Sequence, residues 1–267
     1  MRQSVCMPSC ILISAITLFL HSSLCSAGLI YAHDSLGNLF TVDVQTRVAD
    51  LIGKTGRIFT DIAFDKDGNL FGISSQAFYR VDMGLYRIDS ETAAVSKVGD
   101  LRAGGYVNAL VFDEEGTLWA ASDIAVVTLS PLNGAASFFS NGIGKYGSAG
   151  DLAQDLDLNM YLTTDAGVLV RIDRSSGAVV QVGKMPQTKV YGLVTAEDGQ
   201  MYGLTSDNQI LQIDPQTGAA EIMGPIQASF ALGETQGAAY KSACIPEPAT
   251  LFFLIAGTIF AGIKKRA

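Results

Sequence analysis

Few residues in this chain have the types and spacing that catalysis demands. His33 is the single histidine outside the first 27 residues, so a Ser-His-Asp relay would have to run through it. No G-x-S-x-G turn surrounds a serine. Asp61 and Asp151 recur at one point of an internal repeat and form a candidate carboxylate pair, which is all that glycoside hydrolysis strictly needs. The matching positions of two other copies are Ala109 and Gly192, so the acids are not repeated throughout. Asp65-Lys66-Asp67-Gly68-Asn69 spaces oxygen ligands closely, as a calcium loop does, but lacks the distal bidentate glutamate of an EF-hand. No cofactor is expected, with calcium the one ion left open. This inventory favours a protein that binds over one that catalyses.

A second constellation mixes bases with aromatics. Lys54, Arg57 and Phe59 fall between one pair of repeat units, Arg102 and Tyr106 between the next, then Lys145 with Tyr146, and Lys189 with Tyr191. Tyr79 and Arg80 lie in the longest intervening hairpin, roughly residues 76–84, and Phe230 follows near the end. Aromatic rings stack on sugar faces and cations meet carboxylates, so this set suits a carbohydrate, an acidic one above all. The candidate ligand contacts are Arg57, Phe59, Tyr79, Arg80, Arg102, Tyr106, Lys145, Tyr146, Lys189 and Tyr191. The plainer alternative is that the bases solubilise loops while the aromatics pack beneath them.

The elements that must position these residues come from the repeat. Asp61-Ile-Ala-Phe, Ala109-Leu-Val-Phe, Asp151-Leu-Ala-Gln and Gly192-Leu-Val-Thr start 48, 42 and 41 residues apart. An aromatic follows ten residues after each start, at Phe71, Trp119, Tyr161 and Tyr202, and each unit closes on a Val/Ile-rich strand. That length and pattern predict four-stranded propeller blades, with the regular aromatics as sheet-packing core. Asp67-Gly68, Glu115-Gly116 and Asp198-Gly199 supply tight hairpins. Tyr31–Asp43 aligns without a gap to Tyr202–Asp214, and the missing first strand reappears at Gly237–Tyr240. The expectation is all-β: a five-bladed β-propeller whose C-terminal strand joins the N-terminal blade, with an open solenoid as the alternative.

Composition sets outer bounds. Between Arg2 and Lys264 the chain carries 14 basic and 26 acidic groups, a formal −12, which repels phosphate backbones and argues against nucleic acid as a partner. Three of the four cysteines lie before residue 28, so an internal disulfide framework is not expected. Residues 1–27 have the pattern of a secretory signal peptide: Arg2, an apolar run over 11–20, and small residues at Cys25 and Ala27, with cleavage before Gly28. The domain then spans 28–243 and a tail spans 244–267.

The tail reads Pro246-Glu247-Pro248, an apolar run over 249–263 and the cluster Lys264-Lys265-Arg266. Fifteen apolar residues are short for a permanent span, and the basic end would stay cytoplasmic. This tail resembles the PEP-CTERM sorting signal of exported Gram-negative bacterial proteins. The resemblance covers only about the last two dozen residues. It implies signal peptidase and an exosortase-type processing enzyme as partners, transient inner-membrane anchoring through a short transmembrane helix, and release or display in a biofilm or exopolysaccharide matrix. The expected function is thus an exported binding or structural protein of the extracellular matrix with polysaccharide as ligand. The alternatives are a propeller hydrolase or lyase acting on glycans and a protein-interaction scaffold.

Overall fold

The computed structural model describes residues 29–74, 83–101, 106–187 and 189–241. Among these residues there is no helix; the chain forms β1 (Leu29–Asp34), β2 (Asn38–Asp43), β3 (Val48–Lys54), β4 (Asp61–Phe64), β5 (Leu70–Ser74), β6 (Gly84–Ile88) and β7 (Val95–Asp100). There follow β8 (Ala109–Phe112), β9 (Leu118–Ala121), β10 (Val126–Leu129), β11 (Ala136–Ser140), β12 (Ser148–Gln154), β13 (Met160–Thr164), β14 (Val168–Ile172) and β15 (Val179–Lys184). The last are β16 (Val190–Thr195), β17 (Met201–Thr205), β18 (Gln209–Ile213), β19 (Ala220–Pro225), β20 (Gln227–Ala228) and β21 (Thr235–Tyr240).

These strands make five antiparallel meanders: β4–β7, β8–β11, β12–β15, β16–β19, and a closing blade ordered β21-β1-β2-β3. The innermost strands β4, β8, β12, β16 and β21 touch in that order and back to β4, so the molecule is a five-bladed β-propeller. Closure follows the sequence expectation: Ile30 pairs with Tyr240 and Ala32 with Ala238. The short β20 adds in parallel to the outer edge of β3, pairing with its first two residues, Val48 and Ala49.

Hydrophobic residues on both faces of each sheet bury themselves between consecutive blades rather than in one central core. One cluster, for instance, joins Phe71, Ile73 and Leu85 of the first blade to Leu110, Leu118 and Val127 of the second. Phe71, Trp119, Tyr161 and Tyr202 are all buried in such seams, as the repeat required.

Each blade's outermost strand carries an irregularity in register where it meets the third strand, as between Leu85 and Tyr86 and between Leu169 and Val170. Gly99 and Gly183 lie at two of these points, pressed against the carbonyls of Asn133 and Thr217 in the following blade's outer hairpin.

First–second and third–fourth turns emerge at one end of the ring, the hairpin end. Second–third turns and the blade-to-blade connections emerge at the other, the crossover end. Acids at the hairpin end largely build their own turns. Asp65 accepts the N–H groups of Asp67 (3.0 Å) and Asn69 (2.8 Å), and Asp155 does the same for Asp157 and Asn159. This use of the Asp65 carboxylate accounts for the calcium-like spacing by turn geometry alone. Among the described residues no group of three His, Cys, Asp or Glu is placed to hold a metal ion. None of them forms a helix long and apolar enough to cross a membrane, and the tail segment 249–263 lies outside them.

Candidate functional site

The ring axis is organised in three levels. At its middle, each innermost strand turns one backbone N–H toward the axis, because its inner edge has no neighbouring strand to pair with. The five positions are Ile62, Leu110, Leu152, Leu193 and Ala238. Two side chains answer three of them directly. Asp61 accepts from Ile62 (2.7 Å) and Leu110 (2.6 Å). Asp151 accepts from Leu193, and the neighbouring amides of Leu152 and Ala238 favour its charged form.

The carboxylates also meet each other. Both are fully buried, and burial pushes both well above the ordinary carboxyl value, Asp61 further because Asp151 lies beside it. Asp151 Oδ1 receives no N–H donor among the described residues. Burial and the closeness of the two carboxyls both favour a protonated form at this site. Two full charges so close and so dry would repel without compensation.

The candidate carboxylate pair is thus fully buried: three of its four oxygens accept backbone amides, and neither residue is exposed to a substrate. The remaining positions at this level are the small residues Ala109, Gly192 and Gly237; at Gly192 a Cβ would press on Ala238. A methyl group at Gly237 would overlap Asp61 itself.

His33 is equally withdrawn. It is fully buried, its Nε2 lies 3.2 Å from Thr55 Oγ1, and its ring packs edge-on against Phe59 at 5.2 Å. Burial lowers its pKa to about 4, so the imidazole is neutral and serves the core.

The crossover end holds the exposed chemistry. Tyr106 and Tyr191 are half-buried here, from the connection into the second blade and from the start of the fourth. Burial raises the Tyr106 phenol to about 12, helped by Asp123, Tyr191 and Asp165 around it. Tyr191 is raised by burial and then by Asp165 and Glu234. Asp165 is itself raised by burial and by Asp123. Gly147 lies beside Asp165, where an added Cβ would come within 3.3 Å of Oδ2. Beside this group Asn108 donates to the Ser148 carbonyl at 2.9 Å, while Asn108 Oδ1 and Ser148 Oγ are buried without partners among the described residues. Two tyrosines, two carboxylates and unanswered polar atoms therefore converge between the second, third and fourth blades.

The predicted contacts divide. Tyr106, Tyr146, Tyr191, Lys145 and Lys189 lie at this end with at least part of their surface exposed. Arg57 stacks its guanidinium on Tyr86 at 4.7 Å, and Lys145 its ammonium on Tyr146 at 4.7 Å. Phe59 is corrected: it is fully buried between His33 and Tyr86, so it packs and cannot touch a ligand. Tyr79, Arg80 and Arg102 lie outside the described residues, as do Ala27, Gly28, Pro246, Glu247, Pro248, Lys264, Lys265 and Arg266.

The signal for Asp123 and Asp165 in the sequence is partial: both stand four residues after the repeat aromatics Trp119 and Tyr161, while the fourth and closing blades carry Ser206 and Ser35 at that position. Asp123 and Asp165 place two carboxylates beside the tyrosines, where the sequence suggested bases interleaved with aromatics.

No family model matches the sequence, and no curated protein matches it. Solved structures share the propeller fold. A symmetrical protein, described through the folding constraints on its de novo evolutionary emergence, is 15% identical over 79% of this chain and 97% of its own, with a TM-score of 0.51. A protein of unknown function from Bacteroides thetaiotaomicron VPI-5482 is 12% identical over 81% of this chain and 65% of its own, with a TM-score of 0.55. Virginiamycin B lyase from Staphylococcus aureus is 13% identical over 78% of this chain and 76% of its own, with a TM-score of 0.45. At these identities the likeness is one of fold alone.

Proposed function

We propose that this protein is an exported glycan-binding propeller whose site is the crossover-end mouth around Tyr106, Tyr191, Asp123 and Asp165. The observation that carries the reading is the convergence of two partly exposed tyrosines with two carboxylates over an axis that is closed beneath them. Tyrosine faces stack on pyranose rings, and carboxylates accept from sugar hydroxyls. The acids repel uronates, so the ligand is a neutral polysaccharide rather than the acidic one that the basic residues suggested. Support for export comes from the leader over residues 1–27, and for processing near Pro246-Glu247-Pro248 from the tail that resembles an exosortase substrate.

A second reading has one observation in its favour. Asp165 keeps its proton more tightly than an ordinary carboxyl while Asp123 lies near it, the division of labour a glycosidase uses for acid and base. Affinity electrophoresis of the purified protein against neutral and acidic polysaccharides, with reducing ends assayed in parallel, separates the two. Retardation by neutral polymers without new reducing ends is the expected result. New reducing ends that vanish in both Asp165→Asn and Asp123→Asn would favour the hydrolase, and no retardation by any neutral polymer would overturn the binding proposal.

A further inference from the structure

On the hairpin side of the two aspartates the axis opens into a cavity of about 170 Å³ lined by all five innermost strands. It is well below the roughly 300 Å³ at which drug-sized sites begin, so its occupant is small. The rim divides into two arcs. Tyr240, Phe64 and Phe112 come from the closing, first and second blades, which are neighbours in the ring. Gln154 and Thr195 come from the third and fourth, opposite them. Gln154 Nε2 and Thr195 Oγ1 are buried and have no hydrogen-bond partner among the described residues, a cost a folded protein seldom carries without a use for it.

The field over this mouth is negative. The first–second turns place Asp65, Asp67, Glu114, Glu115, Asp157 and Asp198 at the same end of the ring, and although Lys66 pairs with Asp67 and Arg174 with Glu115, the excess of acids disfavours an anion. Aromatic faces attract a cation more than a neutral group of the same shape. The rim already draws one ammonium of the chain itself, since Lys241 Nζ lies 5.7 Å from the centre of the Phe64 ring.

From these arcs we propose that the hairpin-end cavity binds a small organic cation of the amino-alcohol class. Its ammonium lies on the Phe64–Phe112–Tyr240 side, and its hydroxyl accepts from Gln154 and exchanges a hydrogen bond with Thr195. The site lies across the aspartate hub from the glycan mouth and does not depend on it.

The test uses the purified protein and calorimetric titration with choline, with its uncharged isostere in which carbon replaces nitrogen, and with glycine betaine. Choline binds saturably, at least about fivefold tighter than either comparison compound, the range a desolvated cation–aromatic contact supplies. Phe112→Leu and Phe64→Leu, each checked for unchanged folding, lower choline affinity by at least about threefold and leave the isostere unaffected. Gln154→Leu weakens choline but not tetramethylammonium, which has no hydroxyl. Equal binding of choline and its isostere would overturn the proposal. So would the absence of saturable choline binding, or choline binding unchanged in the folded Phe112→Leu and Phe64→Leu variants.

Discussion

Asp61 and Asp151 share a site without exposure in which burial raises both carboxyls, and this gives the protein a defined response to alkali. Their folded pKa values are raised above the ordinary carboxyl value, so the folded state retains protons that the unfolded chain releases. Their contribution is complete below an ordinary carboxyl pKa of 3.8 and is lost as pH rises through the raised values. Asp61→Asn keeps one acceptor oxygen and can donate its NH₂ to Asp151, but it leaves one of the Ile62 and Leu110 amides facing that NH₂. Urea unfolding across pH should show a loss of stability in Asp61→Asn smaller than that in Asp61→Ala, with a weaker decline on the alkaline side. Asp61→Ala strands the Ile62 and Leu110 amides beside an unpaired carboxylate and should cost about 3–5 kcal/mol. His33 acts oppositely. Its pKa is lowered to about 4, so its contribution is present above 6.5 and lost as pH falls through the folded value. The positions of these residues were legible, since Asp61, Ala109, Asp151 and Gly192 align in the repeat. That they form a hub was not, because the partners are backbone amides that no residue type marks.

At the scale of the strand, the blades announced themselves through recurring apolar runs, acidic-glycine turns and aromatics at fixed offsets. Gly68, Gly116 and Gly199 adopt φ values of 78°, 83° and 81°, the left-handed conformation those turns need. Less legible were the glycines near the ends of the outer strands, which read simply as the close of a Val-rich segment. In the folded protein they let one blade seat against the next. At Gly183 any side chain would run into the Thr217 carbonyl and the backbone of Gly218 in the following blade. Backbone atoms cannot rotate aside as a flexible side chain can, so Gly183→Ala should destabilise by about 1–3 kcal/mol. Thermal unfolding measures this directly, and an unchanged midpoint would mean the blades do not seat on this contact. The loops of the crossover end were read least well. Phe59 carries a hydrophobic side chain in a connection, and whether it turns in or out follows from packing against His33 and Tyr86 rather than from periodicity.

For the whole molecule, closure by β21 beside β1 makes the ring continuous and brings the Ala238 amide to the hub. The two ends of the ring thereby become separate surfaces: a tyrosine–carboxylate mouth at the crossover end, and an aromatic-rimmed cavity beneath acidic turns at the other. Glycan recognition at the crossover end is the central claim, and calorimetric titration of a neutral oligosaccharide into the protein and its Tyr106→Ala/Tyr191→Ala variant tests it most directly. Saturable binding that weakens at least about tenfold in the folded variant, equivalent to ~1.4 kcal/mol, is the result this account predicts. Equal affinity in the two proteins would contradict it.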